Sequence, residues 1–449
     1  MGERPFEVVV YGATGYSGRR AVEHLARRAG EVGLRWAICG RDRRRLDRLA
    51  AGVGDSRPHV LVADAGDAEA LRGVSAQTDV VVSLVGPYGS LGDELPRQCV
   101  STATHYADLC GENDVIDTRI AGLHESARCA GVKLISACGY ESVPFDFGAL
   151  KLDEEFRQAD RSRLERVDAE SGFVLHRHPL RLGTGISGGT LATIRGLVEA
   201  GELTDPYRFV PGEVAKDPAL RAANAVELAA RRSASGDWLA PLFPTPFLNS
   251  AIVHRTSALL GGETGDADGE VNGEANGGYS PRLVYREAMN VTASLGSAPL
   301  AALAARTVSA LMRNIDAMAG GRRSFSDRLT LLVLRRLAKP GEGPPLDSLR
   351  AVDYRVDLRA SSTTGLEAGA TVHGLGHPGY LSSPNILAEI AIGLARDKEL
   401  PKRYGVLTPA SALGAGFTTR LAKAGLSFDV RPPLPRVASA GATHAPDPV

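Results

Sequence analysis

Short apolar runs and longer amphipathic segments alternate through the first third of the chain. Val8-Val9-Val10-Tyr11 is apolar throughout, the pattern of a strand buried on both faces. It runs into Gly12-Ala13-Thr14-Gly15-Tyr16-Ser17-Gly18, and a helix-compatible segment, residues 19–28, follows. Residues 34–40, 59–64, 79–86, 105–107 and 132–137 read as further strands. Helical stretches fall between them, including 91–102, where Pro96 is awkward, and 115–130. This alternation predicts an α/β protein whose N-terminal part is a Rossmann doubly wound parallel sheet, in the order 3-2-1-4-5-6.

From about residue 151 to 375 the pattern is less regular. Residues 166–175 and 282–291 read as strands, and 190–200 as a helix opened by Gly188-Gly189. Residues 352–358 alternate apolar and polar, and 369–372 could pair with them. The expectation is an α+β domain on a mixed sheet. Residues 261–278, built from Gly, Glu, Asp and Asn, read as a disordered acidic loop. Residues 385–396 have helical spacing, and the Pro- and Ala-rich stretch 431–449 reads as a disordered tail. The expected organisation is a nucleotide-binding domain at 1–150 and a substrate domain at 151–375, where a homodimer would also form. A helical segment at 376–430 and the tail complete it.

Length supports this division, since 449 residues exceed one ordinary core. The 52 basic and 52 acidic residues cancel, which argues against a nucleic-acid partner. Five cysteines lie without C-x-x-C spacing and no signal peptide is evident, so a reducing cytoplasm is expected. No apolar run is long enough to span a membrane. The nearest, 291–312, is interrupted by Arg306 and is expected to be a packed helix; peripheral contact with lipid stays open.

The glycine turn carries the first chemistry. Gly12 permits a tight turn, Gly15 lets the backbone approach a pyrophosphate, and Gly18 lets the helix pack close to the strand. Ala13, Thr14, Tyr16 and Ser17 complete the cradle, with free N–H groups at the helix N-terminus. An NAD site would carry an acid at the end of the second strand. Here Gly40-Arg41 is followed by Arg43, Arg44 and Arg45, so NADP(H) is expected, with Arg41 the main contact to the 2′-phosphate. Asp64 is placed to meet the adenine amino group or to cap a helix. Ser83, Val85, Gly86, Pro87 and Tyr88 end the fourth strand, where the nicotinamide half would lie.

Two polar clusters end the fifth and sixth strands: Tyr106 to Glu112, and Cys138 to Asp146. Ligands in such sheets bind beyond the carboxyl ends of strands, so both are expected at the nicotinamide. Tyr140 is the candidate proton donor, with Glu141 beside it; Asp108 or Glu112 could hold a ribose hydroxyl. Ser142 and Asp146 read more simply as helix caps. His176-Arg177-His178 lacks a third ligand, so no metal site is expected. No Tyr-x-x-x-Lys pair or Walker loop occurs.

The glycine run, Tyr106-Ala107-Asp108-Leu109-x-Gly111-Glu112 and Cys138-Gly139-Tyr140-Glu141-Ser142-Val143-Pro144 resemble the saccharopine dehydrogenase-like oxidoreductases. Ser187 to Thr190, Gly379 to Pro384 and Gly405 to Ala410 resemble its actinobacterial branch, which includes trans-acting enoyl reductases. The resemblance implies reduction by NADPH of a carbon–carbon double bond on an acyl or ketide chain carried by a polyketide synthase. Two other readings stay open: a dehydrogenase of another small carbonyl or imine compound, and an NADP-binding scaffold or sensor without turnover.

Overall fold

The computed structural model describes residues 4–54, 56–176, 205–210, 216–243, 246–262, 277–319 and 343–435. The first strands are β1 (Phe6–Tyr11), β2 (Trp36–Gly40), β3 (His59–Val62), β4 (Thr78–Ser83), β5 (His105–Asp108) and β6 (Lys133–Ile135). Their apolar residues are needed on both faces. Val8 and Val10 of β1 face one core, and Val9 faces another formed with Leu71, Leu95 and Leu123. A second set follows: β7 (Leu164–Leu175), β8 (Arg231–Arg232), β9 (Trp238–Ala240), β10 (Val284–Asn290), β11 (Val352–Ser362) and β12 (Leu366–Gly374). The chain then re-enters both sheets through β13 (Gly405–Leu407) and β14 (Leu426–Pro435).

The first sheet has the order β13-β6-β5-β4-β1-β2-β3, parallel throughout. This is the expected doubly wound order with one strand added at the β6 edge. The second sheet has the order β14-β12-β11-β7-β10-β9-β8. It is mixed: β7 and β10 are parallel, and the other pairs antiparallel. Strict alternation along β11 buries Tyr354, Val356 and Leu358 on one face. The helix Val143–Asp160 packs against that face and is buried along most of its length. One apolar cluster continues through it from β1 to β12.

Several expectations change. The boundary at 150 falls inside the Val143–Asp160 helix. The segment 376–430 is not simply helical: it holds the helix Ser383–Arg396, but β13 and most of β14 as well. Arg431 to Pro435, expected in the tail, pair with β12. The 91–102 helix is a short turn, Tyr88–Leu91, followed by Glu94–Ser101. Pro96 is tolerated there because first-turn N–H groups have no helical partner to lose. The 291–312 stretch breaks at Gly296, a left-handed C-cap, into Val291–Leu295 and Ala298–Ala319. Among the described residues no helix is long and apolar enough to cross a membrane. Gly188-Gly189, the 190–200 helix, residues 263–276 of the acidic loop and 436–449 of the tail lie outside the described residues.

Candidate functional site

The glycine turn has the geometry a pyrophosphate cradle needs. Gly12 has φ +83°, and a Cβ there would lie 2.7 Å from Val85 Cγ2. A Cβ on Gly18 would lie 2.2 Å from the Gly12 carbonyl oxygen, so only glycine lets the helix come this close. Gly15 is the N-cap of the helix Tyr16–Val32, and no side chain caps that end. Its first-turn N–H groups are therefore available to an anion. Ala13 is buried; Thr14 and Ser17 are half-buried on the loop. Tyr16 turns away from it, donating to the Pro344 carbonyl and meeting Tyr380 edge-on at 5.6 Å.

Arg41 is exposed just beyond the end of β2. Arg41 and Asp64 lie near enough for both charges to act on Tyr11, whose phenol burial pushes up. Asp64 is exposed and accepts from the Gly66 N–H at 3.0 Å, a turn contact. Beside the loop is a cavity of about 350 Å³ lined by Thr14, Arg19, Arg45, Arg48 and Leu49. Arg19 and Arg48 were not singled out in the sequence, and Arg45 only as part of a basic run. The three-residue spacing of Arg45 and Arg48 puts both on one helix face, which is the signal that could have found them. Arg43 instead pairs with Asp47 at 2.9 Å, and Asp42 caps their helix.

At the other end of the loop, Ser83 closes β4 and Val85 packs on Gly12. Gly86 is exposed and Pro87 half-buried. Tyr88 points inward: its hydroxyl donates to the Ser83 carbonyl at 3.1 Å and accepts from the Leu109 N–H at 3.3 Å. Two expected ribose contacts are spent elsewhere. Asp108 is fully buried and accepts from Arg119 at 2.7 Å, the Tyr106 hydroxyl at 2.8 Å and the Cys110 N–H at 3.0 Å. Glu112 accepts from the Tyr88 and Gly89 N–H groups at 3.0 and 2.9 Å. Both carboxylates shape the edge from within, because each satisfies buried donors that would otherwise be orphaned.

The Gly139-Tyr140-Glu141 turn is arranged differently. The Tyr140 N–H donates to Ser383 Oγ at 2.8 Å, and the Tyr140 hydroxyl meets Ser171 Oγ of β7 at 2.7 Å. Its ring lies edge-on to Tyr354 at 4.7 Å. The phenol is pushed up by burial, which keeps its proton on. Ser383 also donates toward Glu141 Oε2 at 3.2 Å, whereas Glu141 Oε1 is buried without a hydrogen-bond partner. Burial raises the Glu141 carboxyl to about 7, and the Asp108 charge pushes the same way. The segment Gly379 to Pro384 thus folds against the sixth-strand turn through a π-type turn, Pro378–Ser382. Sequence reasoning missed Ser171, Tyr354 and Glu287. Glu287 accepts from Asn249 at 2.8 Å and Tyr285 at 3.0 Å, and burial raises its carboxyl to about 8. An acid in the middle of β10, between the apolar Tyr285 and Ala288, was the available signal. Of the two expected caps, Ser142 holds the N-cap position without a side-chain bond, and Asp146 accepts from Thr256 and the Ala410 N–H at 2.5 and 2.8 Å.

Residues 8–135 match the saccharopine dehydrogenase NADP binding domain family. Over the whole chain, a trans-acting enoyl reductase of Mycobacterium leprae is 31% identical across 441 residues, 94% of this chain and 97% of the relative. A Mycobacterium tuberculosis protein of the same description is 30% identical across 442 residues, with the same coverage. The chain belongs to the trans-acting enoyl reductase family. Its fold is also that of a yeast (Saccharomyces cerevisiae) saccharopine dehydrogenase structure, with TM-score 0.50, 13% identity, and 95% and 100% of the two chains covered.

As a trans-acting enoyl reductase family member with this domain, the protein is an NADP(H)-dependent oxidoreductase. The cofactor fits what its residues offer. The cradle admits a backbone–pyrophosphate approach, and the arginine-lined cavity supplies donors for a phosphate. Among the described residues no His, Cys, Asp and Glu cluster could hold a metal ion; His176 pairs with Asp353 at 2.6 Å, and residues 177 and 178 lie outside them.

Proposed function

We propose that this protein reduces the carbon–carbon double bond of an enoyl thioester delivered by a separate polyketide synthase. Family membership supports the reaction class. The observation that carries the reading within the molecule is the meeting of the Tyr140 turn with Ser383 and Ser171. That contact gathers proton-bearing groups from both sheets beside the carboxyl edge of the nucleotide fold. The bound nicotinamide would supply hydride.

The chain's own residues would then serve three tasks. Gly12 to Gly18 and the arginines Arg41, Arg45 and Arg48 would hold the cofactor's phosphates. The walls near Pro87 and Gly139 would exclude water. Addition of hydride at the β-carbon leaves an enolate, whose oxygen needs donors and whose α-carbon needs a proton. Tyr140 is assigned that proton transfer, and Ser171 orients its hydroxyl. Glu141, with a carboxyl raised to about 7, is assigned as the reserve that returns a proton to the site.

NADPH oxidation should be followed with enoyl thioesters, ketones and imines as alternative acceptors. Turnover confined to the enoyl thioesters is expected. Turnover only with ketones or imines would reassign the substrate, and nucleotide binding without any turnover would favour a sensor.

A further inference from the structure

A cavity of about 600 Å³ runs along the helix Tyr16–Val32, with none of Gly12 to Gly18 on its lining. Its lining includes the cations Arg20, Arg27, Arg28, Arg350 and Lys423, with His24 among them. The acids that share it are committed. Glu23 pairs with Arg20 at 2.8 Å, Glu31 pairs with Arg28, and Asp353 pairs with His176 at 2.6 Å. Arg27, Arg350 and Lys423 are exposed and make no ion pair among the described residues.

The interior wall is also incomplete. His24 is only 4% exposed and meets Glu389 at 2.8 Å through Nε2, yet its Nδ1 is buried without a partner. Arg20 Nε is buried without one too. Both side chains line the cavity, and buried polar atoms are normally satisfied. The unpaired guanidinium groups of Arg27 and Arg350 on the same lining select for negative charge, and phosphate in particular, which such groups bind through paired N–H bonds. The cavity reaches the Tyr16–Tyr380 ring contact. The Arg20 guanidinium lies 6.0 Å from the Tyr16 ring centre, and Leu381 on its wall adjoins Tyr380, which packs on Tyr16.

We propose that this cavity binds the phosphate of the phosphopantetheine arm that carries the acyl thioester. The inference rests on the enoyl thioester reading. An acyl chain is neutral and makes few directional contacts. The arm's phosphate is the fixed charge by which a separate enzyme can recognise a loaded substrate. Carrier proteins and coenzyme A share that group, so the site reads chemistry common to both.

The test uses the NADPH-saturated protein and two probes, pantetheine 4′-phosphate and pantetheine, titrated by calorimetry. The phosphorylated probe should bind about tenfold more tightly or better, the scale of one charged contact. The double variant Arg27→Ser/Arg350→Ser should abolish that difference while keeping its melting temperature and NADPH affinity. Equal affinity for the two probes, or an unaltered preference in the variant, overturns the proposal. In turnover, the variant's KM should rise about tenfold for an enoyl thioester on coenzyme A or a carrier protein. It should not change for the phosphate-free N-acetylcysteamine thioester. The arm with the larger rise identifies the source, and an equal rise on the phosphate-free substrate counts against the site. If no thioester oxidises NADPH the reductase reading fails, but the titration still decides whether the cavity takes a phosphate.

Discussion

The turns after β5 and β6 look alike as sequence, each placing a tyrosine and acids at a strand's carboxyl end, but they are built oppositely. After β5 every acid is satisfied. Asp108 holds Arg119, and Arg119 also donates to Ser136 and the Gly92 carbonyl at 2.9 and 3.0 Å. After β6, Glu141 keeps one oxygen unpartnered, and Tyr140 shares a proton-bearing contact with the other sheet. A carboxylate whose donors are all internal serves the fold. One left short of a donor has hydrogen-bonding capacity to spare for another group.

The largest test of this contrast is Asp108→Ala. It strands a buried guanidinium, so stability should fall by about 3–5 kcal/mol in thermal or denaturant unfolding. A loss below about 1 kcal/mol would put Asp108 back among the ligand contacts. On the other side, Tyr140→Phe should lower turnover about a hundredfold with NADPH affinity unchanged. Unaltered turnover would remove Tyr140 from the chemistry. At the cofactor end, Arg41→Ala should weaken NADPH by about 1.5–3 kcal/mol and leave NADH as it was. If Arg45→Ala or Arg48→Ala carries that loss instead, the 2′-phosphate sits in the arginine-lined cavity.

The smallest effect concerns pH. The Glu141 carboxyl is raised in the fold, to about 7. The folded state therefore holds a proton that the unfolded chain releases near the ordinary glutamate value. Stability from this group is complete below that value and is lost as pH rises through about 7. Glu141→Gln should match the parent in acid and exceed it by on the order of 1–2 kcal/mol at pH 8, read from paired denaturation curves. Equal curves at both pH values would mean that Glu141 is ionised in the fold.

Much of the first sheet was legible because each of its early strands is a local apolar run beside its own turn. The cradle was legible for the same reason: Gly12 to Gly18 is contiguous. What pairs at a distance was not. β13 is only three residues long and has no periodicity to read; its place comes from pairing with β6. Asp108 and Glu112 were expected at a ribose because spacing fixes where a side chain begins, not which donor it meets. Arg119, on the helix Asn113–Cys129, faces inward, its guanidinium lying over the Tyr88 and Tyr106 rings. The Tyr140–Ser171 and Tyr140–Ser383 contacts join residues from three separate stretches of chain, so no single window contained the site.

The return of the chain through β13 and β14 has a consequence in time. During synthesis the first sheet can assemble six strands, yet the β6 edge stays open until residues 405–407 emerge. The second sheet waits longer, for 426–435. Both edges are then uncovered hydrogen-bonding rows, the kind that pair with other chains. A chain cut short before residue 405 would carry two adhesive borders, one on each sheet. The stretch 405–435 therefore acts as a clasp on both halves at once, and a nascent chain would gain protease resistance abruptly once that stretch is out rather than domain by domain.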